Sequence, residues 1–171
     1  MKLERLDSYE KLAEIVGPAS NGGLMLAADD LDTHEFFLLT VDEGGDLPVT
    51  IGICSHGIGL EPAIKRRGTT VWVGYNLSVA AIDVRRPALL WDLEIGSPIY
   101  SVIVEPTSNE CIVIGEITLV RLDENGAEVW RHDTQIVTRH EIDEKELRVE
   151  FDESPPVRID RASGRIVEWA R

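Results

Sequence analysis

Hydrophobic and polar residues alternate in short stretches along most of this chain. Beyond Gly23 the alternation recurs in runs of four to eight residues, which is typical of half-buried β-strands. Glycine, proline and asparagine separate the runs, most clearly at Asn125-Gly126, and indicate tight turns. The predicted strands are at 24–28, 36–41, 48–54, 70–74, 77–84, 88–93, 99–104, 111–114, 117–122, 127–131, 134–138, 146–151, 156–160 and 165–168. The pattern predicts an all-β fold of short antiparallel strands.

The first 17 residues have a helical pattern instead. Asp7 is placed to cap a helix, and Glu10 lies three positions later, as in a capping box. A short apolar stripe follows and ends at a helix-breaking pair: Leu12, Ile15, Val16, then Gly17-Pro18. We expect one amphipathic helix over residues 1–17, packed on the edge or end of a sheet. Together with a β-repeat region over 23–171 it would form a single domain.

Four apolar segments end in an aspartate at nearly regular intervals. Asp42, Asp83, Asp123 and Asp160 are 41, 40 and 37 residues apart. The pattern is fullest in the middle of the chain: Val-Trp-Val-Gly (71–74), Leu-Ser-Val-Ala-Ala-Ile-Asp (77–83) and Leu-Leu-Trp (89–91) return as Cys-Ile-Val-Ile-Gly (111–115), Ile-Thr-Leu-Val-Arg-Leu-Asp (117–123) and Val-Trp (129–130). A degenerate copy occupies 147–168. A period of about 40 residues indicates a repeated supersecondary unit.

This order of strands, glycine, aspartate and tryptophan resembles the blade repeat of quinoprotein-type β-propellers. The resemblance covers about 70–130, with the degenerate copy at 147–168. In such blades the aspartate would bond the backbone of the following turn, and the tryptophan would pack between neighbouring sheets. The resemblance therefore implies structural roles for Trp72, Trp91 and Trp130.

The number of repeats leaves the architecture open. A closed propeller takes about four to eight blades, and this chain supplies at most three to four units. A partial or small propeller, an open curved sheet or sandwich, and a ring shared by two chains are all compatible with the pattern. A homo-oligomer is therefore possible. The quinone cofactor of the family sits on a full ring, so we predict no cofactor and carry over no catalytic residue.

The charge of the chain limits its partners. It has 17 basic and 31 acidic residues and a formal net charge of −14, which argues against broad binding to nucleic acid or anionic lipid. No apolar run approaches the roughly 20 residues of a membrane helix, and the first residues lack the apolar core of a secretory signal. We therefore expect a cytoplasmic protein with no membrane contact.

Five cations flank the fullest repeat: Lys65, Arg66, Arg67, Arg85 and Arg86. The first three precede the strand at 70–74, and the other two follow the strand at 77–84. If these strands form a hairpin, both groups fall at the same end of it. Because guanidinium groups suit carboxylates and phosphates, we predict an anion or acidic-partner site there. The alternative is that the cations neutralise nearby acidic loops.

One pair of residues raises the possibility of catalysis. Cys54 and His56 are two positions apart, so both would lie on one face of a strand, as a thiol nucleophile and its base require. The alternative is that Cys54 and Cys111 are buried small hydrophobic residues in a reducing compartment.

An acidic loop raises the question of calcium. Asp30, Asp32 and His34 alternate like ligands, but the loop lacks the glycine turn of a calcium site and histidine is a poor calcium ligand. We predict a solvated loop and no metal.

Taken together, these features predict a non-catalytic binding or scaffolding module that recognises a protein partner through loops of the β-repeat sheet. Two alternatives remain. One is an inhibitor or immunity-type protein against a basic toxin or nuclease, and the other is a small cysteine-dependent enzyme that uses Cys54 and His56.

Overall fold

A computed structural model describes residues 1–17, 23–28, 32–42, 44 and 48–169. These residues form sixteen strands and one helix: β1 (Lys2–Leu6), α1 (Tyr9–Val16), β2 (Leu24–Leu26), β3 (Glu35–Val41), β4 (Val49–Ser55), β5 (Ala63–Arg67), β6 (Thr70–Tyr75), β7 (Ser78–Asp83), β8 (Ala88–Glu94), β9 (Ile99–Val104), β10 (Cys111–Gly115), β11 (Thr118–Leu122), β12 (Glu128–Asp133), β13 (Val137–Ile142), β14 (Glu146–Phe151), β15 (Val157–Asp160) and β16 (Ile166–Trp169).

The strands form four sheets of four, which we call blades 1 to 4. Blade 1 has the order β1-β3-β4-β2, and blades 2, 3 and 4 contain β5–β8, β9–β12 and β13–β16. In blades 2 to 4 each strand pairs antiparallel with the next one along the chain. Blade 1 departs from this, since β2 runs parallel to β4 with Leu24 opposite Ile51. The prediction of an all-β, blade-like repeat fold is confirmed.

Three hydrophobic clusters join the blades into a row. Blades 1 and 2 share a cluster that includes Phe37 and Val73, blades 2 and 3 one around Trp72, and blades 3 and 4 one that includes Ile114 and Leu147. Among the described residues no cluster joins blade 4 to blade 1. The hydrophobic clusters of the described residues thus connect the four blades in their order along the chain.

Helix α1 covers the outward face of blade 1, at one end of this row. Leu12 and Val16 are buried against Leu38 and Cys54. Leu38 points away from blade 2, because its neighbours on β3, such as Phe37, belong to the cluster shared with that blade. The helix thus buries the apolar face of blade 1 that is opposite the face packed on blade 2. Within the described residues, no helix has the length and apolar character that crossing a membrane requires.

The predicted bounds of this helix were wrong. Lys2–Leu6 is strand β1, paired with β3, and the helix begins after Ser8 rather than Asp7. Ser8 Oγ accepts the Lys11 backbone N–H at 3.3 Å. The difference arises because β1 supplies partners for the backbone groups of β3, and such tertiary pairing outweighs weak local helix propensity. Pro18, expected to end the helix, lies outside the described residues.

Two strand predictions also need correction. Ala63–Arg67, which lacks apolar alternation, is strand β5 at the edge of blade 2, where the side chains are half-buried or exposed. Strand β13 is Val137–Ile142 instead of 134–138, and it too is an edge strand. Edge strands need not alternate apolar and polar residues as strictly as central strands do, so the pattern locates them poorly.

Candidate functional site

The periodic aspartates hold the turns that follow them. In each repeat the Oδ1 atom accepts a backbone N–H of the turn: Asp42 from Gly44 at 2.8 Å, Asp83 from Arg85 at 2.9 Å, Asp123 from Asn125 at 2.8 Å and Asp160 from Ser163 at 2.8 Å. Hydrogen bonds from the hydroxyl and backbone of Ser163 also lower the pKa of Asp160 below its ordinary value. These carboxylates therefore have the structural role that the resemblance to blade repeats implies.

The tryptophans pack between blades. Trp91 donates its Nε1 hydrogen to the Glu124 carbonyl of the next blade at 3.0 Å, and Trp130 does the same to Arg161 at 2.9 Å. Trp72 is fully buried in the cluster between blades 2 and 3, and its Nε1 has no hydrogen-bond partner among the described residues. All three indoles therefore have the structural role that the resemblance implies.

The five predicted site cations lie at one end of blade 2, which we call the basic end. Strands β5, β6 and β7 are antiparallel neighbours, with Arg67 opposite Thr70 and Thr70 opposite Asp83. Because Arg85 and Arg86 follow Asp83 after a single residue, the turn that carries them lies at the same end as Arg67. The predicted hairpin is thus present. The first group, in a segment where no strand was predicted, lies on strand β5.

In the part of the chain that the structure describes, most arginines outside the basic end form ion pairs, whereas most cations of the basic end do not. Seven arginines outside it each lie within 4.0 Å of a carboxylate: Arg5, Arg121, Arg131, Arg139, Arg148, Arg158 and Arg161. By contrast, four cations of the basic end have no such partner among the described residues: Lys65, Arg67, Arg85 and Arg86. The idea that they neutralise nearby acidic loops has no support from the described contacts.

Backbone carbonyls orient two of the guanidinium groups. Arg66 donates to the carbonyls of Gly68 at 2.9 Å and of Asp42 at 3.3 Å, and Arg67 donates to that of Ser108. A carbonyl oxygen carries only a partial charge, so the contact with Ser108 positions Arg67 without cancelling its charge. The basic end is therefore a positive surface on a strongly acidic chain.

A groove of about 430 Å³ adjoins the basic end. Strands β5, β9 and β13, each the first strand and an edge strand of its blade, contribute its lining, and we call it the inner groove. Lys65 and Arg67 line it from blade 2, Ile103 from blade 3, and His140 and Ile142 from blade 4. Burial lowers the pKa of the His140 imidazole below its ordinary value, so this side chain is neutral at neutral pH.

One acidic residue among the described residues lines the inner groove, and it is already paired. Glu105 Oε2 accepts from Arg161 Nη2 at 2.8 Å, and Arg161 is only 8% exposed. Arg121, which pairs with Glu110, donates to the Arg161 carbonyl at 2.5 Å. These contacts join blades 3 and 4 and compensate the negative charge of Glu105, so the groove keeps a net positive side on β5.

The residues of this groove other than the cations were missed from the sequence. Ser101, Ile103, His140 and Ile142 come from strands about 40 residues apart, and no local motif connects them. The available signal was the repeat itself, because equivalent first strands of three successive blades line this one groove.

Cys54 and His56 do not form an accessible nucleophile site. Cys54 is fully buried in the cluster beneath α1. The His56 backbone N–H donates to Asn76 Oδ1 at 2.9 Å, and Asn76 Nδ2 donates to the Cys54 carbonyl at 3.1 Å. This segment therefore anchors the β6–β7 turn on blade 1. Cys111 is buried as well; burial, then the nearby charges of Glu105 and Glu110, raise its pKa to about 12.

The acidic loop can be described only in part. Asp30 lies outside the described residues, while Asp32 and His34 lie within them. Among the residues that the structure describes, no three histidine, cysteine, aspartate or glutamate side chains come together to hold a metal ion.

Comparison with known proteins relates this row of blades to β-propellers. No protein-family model matches the chain, and neither does any curated protein sequence. Among solved structures, BamB from Moraxella catarrhalis, a β-propeller of such repeats, matches with a TM-score of 0.50 and 22% identity over 63% of this chain. The chain has a propeller-blade fold. It spans only 36% of the length of BamB.

Two computationally designed proteins also match the fold of this chain. Ika4 matches with a TM-score of 0.54 at 14% identity over 68% of this chain and 76% of Ika4. Ika8 matches with a TM-score of 0.53 at 14% identity over 68% of this chain and 39% of Ika8. At these identities the likenesses show the fold alone, and the function must be argued from the surface of the blades.

Proposed function

We propose that this protein is a non-catalytic binding module that recognises an acidic surface of a protein partner through the basic end of blade 2. The observation that carries the proposal is the lack of carboxylate partners for Lys65, Arg67, Arg85 and Arg86 among the described residues of a chain with 31 acidic residues. Carboxylates of a partner would accept charge-assisted hydrogen bonds from these cations.

The choice of a protein partner follows from charge. A polyanion such as nucleic acid or an anionic membrane meets the whole surface, whose net charge is −14, and is repelled. A folded protein can instead present a small acidic patch to the basic end alone. The proposal includes a cytoplasmic location, a single domain over residues 1–171 and no cofactor.

The alternatives have less support. Burial of Cys54 speaks against the cysteine-dependent enzyme, because reactive thiolates occupy partly exposed, electropositive surroundings. The inhibitor or immunity-type alternative rests on net charge, and no contact in the described residues favours it.

The test is affinity capture from native lysate with matched charge variants. The test variant carries Lys65→Glu, Arg85→Glu and Arg86→Glu; Arg66 and Arg67 stay because they hold neighbouring turns. A control variant carries three reversals on blade 4, at Arg139, Lys145 and Arg148, and has the same net charge.

We expect a partner that the wild type and the control retain and the test variant loses. Binding of the purified partner should weaken as salt increases from 50 to 300 mM, because the contact is electrostatic. A partner retained equally by the test variant, or bound independently of salt, would refute the role of the basic end.

A further inference from the structure

The inner groove extends the basic end into a channel that crosses three blades. Its lining comes from β5, β9 and β13 of three successive blades, and each of these strands has one sheet neighbour in the described structure. Packed sheets are about 10 Å apart, so the three strands span about 20 Å, which about six extended residues at about 3.3 Å each would cover. The shape suits a single extended chain.

The lining is divided by chemistry. On β5, Lys65 and Arg67 have no carboxylate partner among the described residues, whereas Glu105 on the neighbouring blade is held by Arg161. Beyond this positive side, Ile103 and Ile142 add apolar surface from blades 3 and 4. An occupant that satisfies both parts needs carboxylates at one end and an apolar side chain near the other.

We propose that the inner groove binds an extended acidic segment of a protein, with carboxylates on Lys65 and Arg67 and an apolar side chain against Ile103 and Ile142. This inference rests on the proposed function and deepens it by naming the form of the ligand. A small anion such as phosphate would use the cations but not the isoleucines. A basic segment would meet repulsion from β5.

The direct test measures binding of a fluorescein-labelled peptide with alternating glutamate and leucine by fluorescence anisotropy. The wild type should bind it saturably, and Lys65→Glu should weaken binding at least tenfold. Ser101→Trp, which fills the groove without changing charge, should weaken it to the same degree. Lys145→Glu, one of the control reversals on blade 4 and outside the groove lining, should change it less than threefold. Unfolding midpoints of all variants establish that they are folded.

Two competitors distinguish the ligand classes. A lysine-leucine peptide of the same length should not compete, and 10 mM inorganic phosphate should displace little of the acidic peptide. Complete displacement by phosphate would mean a small-anion site and would overturn the inference. Absent binding, or binding insensitive to Lys65→Glu and Ser101→Trp, would overturn it too.

The captured partner separates this inference from the proposed function. If the partner is kept by Lys65→Glu and Ser101→Trp but lost by Arg85→Glu/Arg86→Glu, the groove inference fails and the binding function stands. If none of these changes affects the partner, both fail.

Discussion

The indole of Trp130 lies directly against Gly164 of the next blade. A Cβ atom at Gly164 would be 2.5 Å from the Trp130 Cγ atom, so only glycine leaves room for the ring. One blade earlier the same relationship joins Trp91 to Gly126, where a Cβ would be 2.8 Å from the indole. The tryptophan that ends one repeat thus needs the glycine turn of the next, and this contact links the sequence period to the stacking of blades.

This contact predicts that Gly164→Ala destabilises the protein more than a glycine-to-alanine change at a position with open space around the Cβ atom. Gly164 has φ +71°, a left-handed conformation that costs alanine about 1–2 kcal/mol, and overpacking against Trp130 adds about 1–3 kcal/mol. Gly96 is the matched control, since it has φ +77° but open space around its Cβ position. Urea unfolding should show the larger loss for Gly164→Ala. Equal losses would mean that the indole contact contributes nothing.

The ion pair between Glu105 and Arg161 predicts a second stability effect. Replacing Arg161 with methionine leaves a buried carboxylate whose nearest remaining cation, Arg121, is 3.9 Å away. Removing one partner of a buried pair costs about 3–5 kcal/mol when the remaining charge is left uncompensated, and the loss here should be smaller because Arg121 stays within ion-pair distance of Glu105. The double variant Glu105→Gln/Arg161→Met should recover part of that loss in urea unfolding. If the double variant loses the sum of both single effects, the two side chains do not interact.

The repeat could be predicted from sequence because its key residues act locally or on the adjacent blade. Asp83 and Asp123 bond turns within four residues, and Trp91 donates to Glu124 in the equivalent turn of the next blade, so each unit carries its own signature. Blade 1 has no tryptophan and contains the parallel strand β2. Its pattern was therefore faint, and β1 was mistaken for helix. That the chain forms one domain stays a prediction.

The inner groove could not be predicted in the same way. Lys65, Ile103 and His140 lie on edge strands of three different blades, and only the packing of those blades brings them together. The sequence showed the cations but not whether they were paired. Whether a cation is paired with a carboxylate depends on where the acidic residues lie in the folded chain. The lack of carboxylate partners among the described residues is the feature on which the proposed function rests.

Burial of both cysteines predicts that neither reacts in the folded protein. Cys54 and Cys111 are fully buried, and the thiolate form of Cys111 is further disfavoured by its raised pKa. Iodoacetamide at pH 8 should leave both unmodified by intact mass, while the urea-unfolded protein should gain two adducts. An adduct on Cys54 in the folded protein within minutes would revive the cysteine-dependent alternative.

The half-buried imidazole of His140 predicts a loss of stability on acidification. Its pKa is lowered in the folded protein because burial disfavours the charged ring, whereas the unfolded chain has the ordinary value of 6.5. As the pH falls through 6.5, the unfolded chain takes up a proton that the folded protein does not, so stability decreases until the folded pKa is passed. The inner groove also contains four charged side chains that face this ring and that the experiment below leaves unchanged: Lys65, Arg66, Arg67 and Glu105.

The comparison is between the wild type and His140→Gln, whose side chain does not titrate. Urea midpoints measured at pH 8 and pH 5 should fall further for the wild type than for the variant, since other groups contribute equally to both. An NMR titration should place the midpoint of the His140 ring below 6.5. Identical pH dependence of the two proteins would mean that the ring is as well hydrated in the folded protein as in the unfolded chain, and the inner groove would then be more open to water than its packing indicates.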